Sequence, residues 1–111
     1  MLNIPNIEKE LEILRRFLEI IDVLAKEGPM GFRKLSEKLE LPPHLVKHAL
    51  AILQLDFIIR TSGKGSVLTQ NALKEMEAIR EDLEILKEEL EEIIKFTDQV
   101  IEDIKKSREK K

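Results

Sequence analysis

Apolar side chains recur at positions 7, 11, 14, 18 and 21 and again at 13, 17, 20 and 24. The two rows merge into the broad stripe of a well-buried amphipathic helix and predict one from Ile7 to Leu24. Asn6 can cap its start, and Gly28-Pro29 stops it. A short second helix is predicted over residues 31–39, with Phe32, Leu35 and Leu39 on one face, before Glu40 and Leu41 turn the chain into Pro42-Pro43. A proline suits the first turn of a helix, where its missing N–H has no intrahelical partner and its fixed φ is already helical. The pair therefore starts a third helix. On its wheel Leu45, Val46, Ala49, Leu50, Ile52 and Leu53 take one side, while His44, Lys47, His48 and Ala51 take the other. Two β-favouring runs, residues 57–61 and 66–69, then flank Ser62-Gly63-Lys64-Gly65 and predict a hairpin with a basic tip, its glycines permitting positive φ.

From Thr69, placed as a helix cap, to about Ser107 there is neither Gly nor Pro, and a single long helix is predicted. Met76, Ile79, Leu83, Leu86, Leu90, Ile93, Thr97, Val100 and Ile104 are spaced alternately three and four apart, an a/d seam sustained over four heptads. Such a helix spans roughly 57 Å, against a radius of gyration of about 11 Å for a globule made from the remaining residues. It is expected to outreach its own domain and to need a second helix over its seam, most economically from another copy of the chain. The predicted organisation is a domain at 1–70 and a dimerisation helix at 71–111, with the lysine-rich SREKK end frayed. Glu75, Asp82 and Glu89 at g and Arg80 and Lys87 at e would match in a parallel pair, whereas an antiparallel pair would gather acids. Ile94 and Ile101 widen the stripe beyond a two-helix seam.

Composition narrows the class. At 111 residues the core is modest and a large enzyme cleft is not expected. Cysteine is absent and no apolar leader precedes a cleavage site, which predicts a cytoplasmic protein without disulfides. Charges interrupt every apolar run short of the roughly 20 residues that a membrane span requires. Charged residues form 37% of the chain, a bias that suits long exposed helices and the ion-pair networks of hot organisms. The formal net charge is −3, but residues 31–70 hold six basic and three acidic groups, while the flanking thirds are acidic.

Two helices, a third started at a sharp turn and a basic hairpin follow the order of a winged helix-turn-helix. The stretch IIDVLAKEGPMGFRKLSEKLELPPHLVKHALAILQLDFIIRTSGKGSVLTQNAL, residues 20–73, resembles the winged-helix repressors of bacteria and archaea, including the MarR-like and ArsR-like groups. Glu27-Gly28, Leu35 and Leu39, Val46 and Leu50, and Leu68-Thr69 carry the resemblance. Pro42 stands where Ser or Thr is common in that family and Phe57 where Gly is usual, so Asp56 is expected to take the turn after the third helix. The resemblance implies a mainly α fold with a small β-hairpin wing, followed by the long coiled-coil helix. It also implies a homodimeric transcriptional regulator that binds double-stranded DNA. His44, Lys47 and His48 would face the major groove, and Arg33, Lys34, Arg60 and Lys64 the phosphates, which supply affinity without reading sequence. Small archaeal binders of this kind often dimerise through antiparallel C-terminal helices, against the charge pattern, which leaves the orientation open.

His44 and His48 match the i, i+4 spacing of a helical metal pair, but the intervening Leu-Val-Lys lacks the glutamate of HExxH and no cysteine completes a site. No metal, cofactor or catalysis is expected, and no effector pocket is visible. The third helix lacks Arg, Asn or Gln before Gln54, the side chains that make the commonest bidentate base contacts. Modest specificity or readout of DNA shape is the consequence. Because histidine gains charge between pH 8 and 5, duplex binding is expected to tighten from pH 7.5 to 6. Two other functions share the fold: a protein-interaction module, and a chromatin-type architectural binder of low specificity.

Overall fold

The computed structural model describes residues 4–109, apart from the side chain of Pro5. The chain divides into two compact units, residues 1–73 and 74–111. The elements run α1 (Ile4–Glu27), α2 (Phe32–Leu39), α3 (Pro43–Leu55), β1 (Ile59–Ser62), β2 (Gly65–Leu68) and α4 (Ala72–Glu109). The molecule is mainly helical, with one small antiparallel hairpin and a long C-terminal helix.

In the first unit, α1, α2 and α3 pack on one another, and the hairpin packs on α1 and α3. The core is Ile20 and Leu24 of α1, Leu35 of α2, Val46, Ala49 and Leu53 of α3, and Ile58 and Ile59 entering the hairpin. On α3 the buried row is narrower than the apolar side of its wheel, because Leu45, Leu50 and Ile52 are only half-buried at its flanks. Helix α1 starts at Ile4, so Asn6 lies within it and does not cap it; Pro5 occupies the first turn, where a proline is at home.

The three helices of this unit end alike. Each is followed by a residue in the left-handed region: Gly28 (φ 80°), Glu40 (φ 55°) and Phe57 (φ 59°). After α3 the N–H of Ile58 donates to the Leu53 carbonyl at 3.0 Å and the N–H of Phe57 to that of Gln54 at 3.1 Å. This is the paired bonding of a Schellman motif, with buried Leu53 and Ile58 as its hydrophobic contact. The expectation that Asp56 takes this turn is corrected: Asp56 has φ −87°, and Phe57 adopts the conformation that glycine adopts most cheaply.

The hairpin pairs Ile59 with Leu68, Arg60 with Val67, Thr61 with Ser66 and Ser62 with Gly65, so β1 begins two residues and ends one residue later than its apolar run suggests, and β2 lies one residue earlier. A bridge between Met30 and Ser66 fastens it to the α1–α2 loop through N–H to carbonyl bonds of 2.9 and 3.1 Å. Gly65 makes that approach possible, since a Cβ there would lie 2.5 Å from the carbonyl carbon of Met30. Of the two glycines at the tip, only Gly65 has positive φ.

Thr69 is not the cap of α4, which starts at Ala72. Its hydroxyl donates to the Phe57 carbonyl and accepts from the N–H of Asn71 at 3.2 Å, tying the end of the hairpin to the exit of α3. The second unit is helical through Glu109, so fraying does not reach Ser107–Glu109; Lys110 and Lys111 lie outside the described residues. Among the described residues no helix is long and apolar enough to cross a membrane.

Candidate nucleic-acid interface

The short α2–α3 connection, residues 40–42, aims α3. Ser36, buried on α2, donates its hydroxyl to the Leu41 carbonyl, and the N–H of Leu41 returns to the Ser36 carbonyl at 3.1 Å. Two reciprocal bonds across the turn thus fix where Pro42 starts α3, and the backbone N–H groups of Leu45 and Val46 then close on the Pro42 carbonyl. The first turn of α3 holds no acidic residue, so its positive dipole end is not offset by a carboxylate of its own.

With Val46, Ala49 and Leu53 facing inward, His44, Lys47, His48, Ala51 and Leu55 face solvent. Arg33 and Lys34 on α2, Arg60 on β1 and Lys64 in the hairpin turn are exposed as well. None of these seven basic residues takes part in an ion pair among the described residues. Lys38, the remaining cation of the basic middle segment, is held by Glu27 at 2.6 Å. Within residues 31–70 the outward-facing positive charge is therefore carried by the predicted set, while α1 adds exposed Lys9 and Arg15 elsewhere on the unit.

That set is not one patch. A shallow groove between α3 and the hairpin is lined by Phe32, Lys47, Leu50, Gln54, Thr61 and Ser66. Thr61 shares a ribbon face with buried Ile59, and strand alternation puts Arg60 on the opposite face. Lys47 thus belongs to the groove and Arg60 to the outer side of the ribbon, a separation that helix and strand periodicity imply only once the register is known.

Phe32 is the residue that sequence reasoning placed only in the core. It is half-buried, and its ring carries the Lys47 ammonium at 4.6 Å and the Arg33 guanidinium at 5.7 Å from the centroid. A cation held over an aromatic face in this range is attracted by the ring quadrupole. The ring therefore organises two of the predicted contact residues at once. The signal was available in part: Phe32 opens α2, and any aromatic there lies beside the start of α3.

His44 and His48 stand one turn apart on the exposed face, and no cluster of three or more His, Cys, Asp or Glu that could hold a metal occurs among the described residues. The outer face of α3 also changes character along its length. Beyond His48 it becomes apolar, with Leu55 and Phe57 both about three-quarters exposed beside Ala51 and Gln54. Neither a protein-family model nor a curated protein matches the sequence.

Proposed function

We propose that the chain is a non-catalytic, homodimeric winged helix-turn-helix DNA-binding protein acting in transcriptional regulation. In this reading α3 enters the major groove, the hairpin is the wing, and α4 joins two copies. The observation that carries it is the basic set on α2, α3 and the hairpin, which makes no ion pair among the described residues and lies on one unit of an otherwise acidic chain. The Met30–Ser66 bridge adds support, because it fastens the hairpin to the α1–α2 loop of the helical unit, as a wing requires. His44, Lys47 and His48 would meet base edges, and Arg33, Lys34, Arg60 and Lys64 phosphates.

A gel shift against random duplex at two salt concentrations tests the proposal. Four phosphate contacts per copy release counterions, so affinity is expected to fall on the order of 10⁴-fold between 50 and 200 mM salt for a dimer. No shift at micromolar protein and low salt would end the DNA reading. Competition between random duplex and DNA from upstream of the protein's own coding region then separates a regulator from an architectural binder.

A second reading is favoured by one observation. Leu55 and Phe57 continue the exposed face of α3 as an apolar surface, which suits a protein partner better than a phosphate backbone. In that reading the fold is an interaction module, and duplex binding is absent at any salt.

A further inference from the structure

We infer that α4 pairs with α4 of a second copy in parallel and in register. The inference rests on the homodimer reading but not on DNA. Its starting point is the exposure of the seam: Leu86, Leu90, Ile93, Val100 and Ile104 are each between 40% and 59% exposed along one face of the second unit. The helix is continuous from Ala72 to Glu109, so the heptad assignment holds without a break from Met76 to Ile104. A seam of this length presents apolar surface that a second helix would cover.

The flanks identify the second helix. In a parallel pair each g residue meets the e residue five positions on in the partner. Glu75 then meets Arg80 of the partner subunit, Asp82 meets Lys87 of the partner subunit, and Asp103 meets Arg108 of the partner subunit. Where the charges lapse the same rule gives an apolar contact, Phe96 against Ile101 of the partner subunit; both side chains are exposed in the single chain. The same register also sets Glu89 against Ile94 of the partner subunit, the one mismatch; at the other four g positions of the seam it gives three opposite-charge pairs and one apolar pair. An antiparallel pair sets g against g and e against e, which places acids on acids and Arg80 or Lys87 on cations or isoleucines. Like charges held opposite one another oppose association.

Thr97, the polar residue at an a position, is compatible with this seam. Its hydroxyl donates to the Ile93 carbonyl of its own helix at 2.8 Å, so it enters the interface with its donor already satisfied. The intrahelical Arg80–Glu84 contact is long, at 3.9 Å, and both side chains are well exposed, which leaves the Arg80 guanidinium able to turn toward a partner. Parallel pairing brings the two copies of Ala72 together, and with them the starts of both helices that follow the hairpins.

The absence of cysteine makes the orientation directly testable in the full chain. Two single variants are made, Ile79→Cys and Ile104→Cys, and each is oxidised alone and as a mixture. A disulfide requires Cα atoms about 4.4–6.8 Å apart. Parallel pairing places each substituted position against itself, so both variants cross-link alone and the mixture adds no large heterodimer fraction. Antiparallel pairing centred on the seam separates the two copies of position 79 by roughly 37 Å and forms only the mixed product. Mixed product alone overturns the orientation and leaves the dimer standing. A monomeric mass for the unsubstituted chain in sedimentation at 100 µM overturns both.

Discussion

The first unit and α4 use the same device, apolar residues at helical spacing, with opposite results. In α1 and α3 the row Ile20, Leu24, Val46, Ala49 and Leu53 is buried by the chain's own helices and hairpin, whereas Ile7, Leu11 and Leu18 earlier on α1 are exposed, which corrects the expectation of a well-buried stripe from Ile7. In α4 the equally regular row from Leu86 to Ile104 stays about half exposed. Periodicity therefore says that a face needs covering and not what covers it. The deciding difference lies at the flanks. Around the first unit's core the flanking residues are half-buried hydrophobes that continue into neighbouring elements, whereas the seam of α4 is bordered by acids on one side and bases on the other until Ile94 and Phe96.

The largest expected effects come from cutting one residue out of each row. Leu35 is fully buried, so Leu35→Ala is expected to lower unfolding stability by about 3 kcal/mol through lost contacts and the cavity left behind, with a melting temperature that does not depend on protein concentration. Leu90→Ala is expected to weaken association on the order of 100-fold, about 3 kcal/mol per dimer, with melting that depends on concentration. Thermal melts at 5 and 200 µM distinguish the two; concentration dependence appearing in the first and not in the second would reverse the comparison.

Next in size is the hairpin's anchor. Gly65→Ala forces a Cβ against the Met30 backbone at a φ of 113° and is expected to cost about 2 kcal/mol, read by chemical denaturation, while leaving the dimer mass unchanged. A neutral result would mean that the hairpin is not fastened to the α1–α2 loop. Phe57→Gly works in the opposite direction. Glycine removes the left-handed penalty and the lost side chain is mostly exposed, so stability is expected to rise by about 1 kcal/mol; a fall would show that Phe57 is held by a contact. Smallest is Phe32→Leu, which removes the ring beneath Lys47. Duplex affinity is expected to drop about threefold while Phe32→Tyr retains it, and equal affinity for all three proteins would remove the ring from the interface.

These effects also mark what could be read from the sequence. Pro42-Pro43 announces α3 because a proline pair has few other uses after a polar turn, and the three-four alternation announces α4. The exposed positions of His44, Lys47, His48, Arg33, Lys34, Arg60 and Lys64 followed from the wheel and the strand runs. The end of α3 was not legible in the same way. A left-handed residue is expected to be Gly, Asn or Asp, and Phe57 takes that role because the Schellman bonds and the buried Leu53–Ile58 contact compensate for its steric cost. Ser36, Phe32 and Gly65 escaped for a related reason: each acts on a residue of another element, Leu41, Lys47 or Met30, and local pattern contains no term for such a meeting. Thr69 was expected to act on the helix it precedes; it does accept from the N–H groups of Asn71 and Ala72 at the entry to α4, but its hydroxyl also donates to the turn after α3, which the sequence did not announce.

Duplex binding by the basic set is the property on which the proposed function rests. Binding of random duplex is to be measured across 50–200 mM salt for the wild-type chain and for Lys47→Ala, Arg60→Ala and Lys64→Ala combined. The three exposed side chains make no ion pairs among the described residues, so the combined variant should stay folded. The expected result is a logarithmic salt slope shallower by roughly four for a dimer, from the lost Arg60 and Lys64 phosphate contacts, with weaker binding at every salt concentration. An unchanged affinity and slope would contradict the assignment of these residues to DNA.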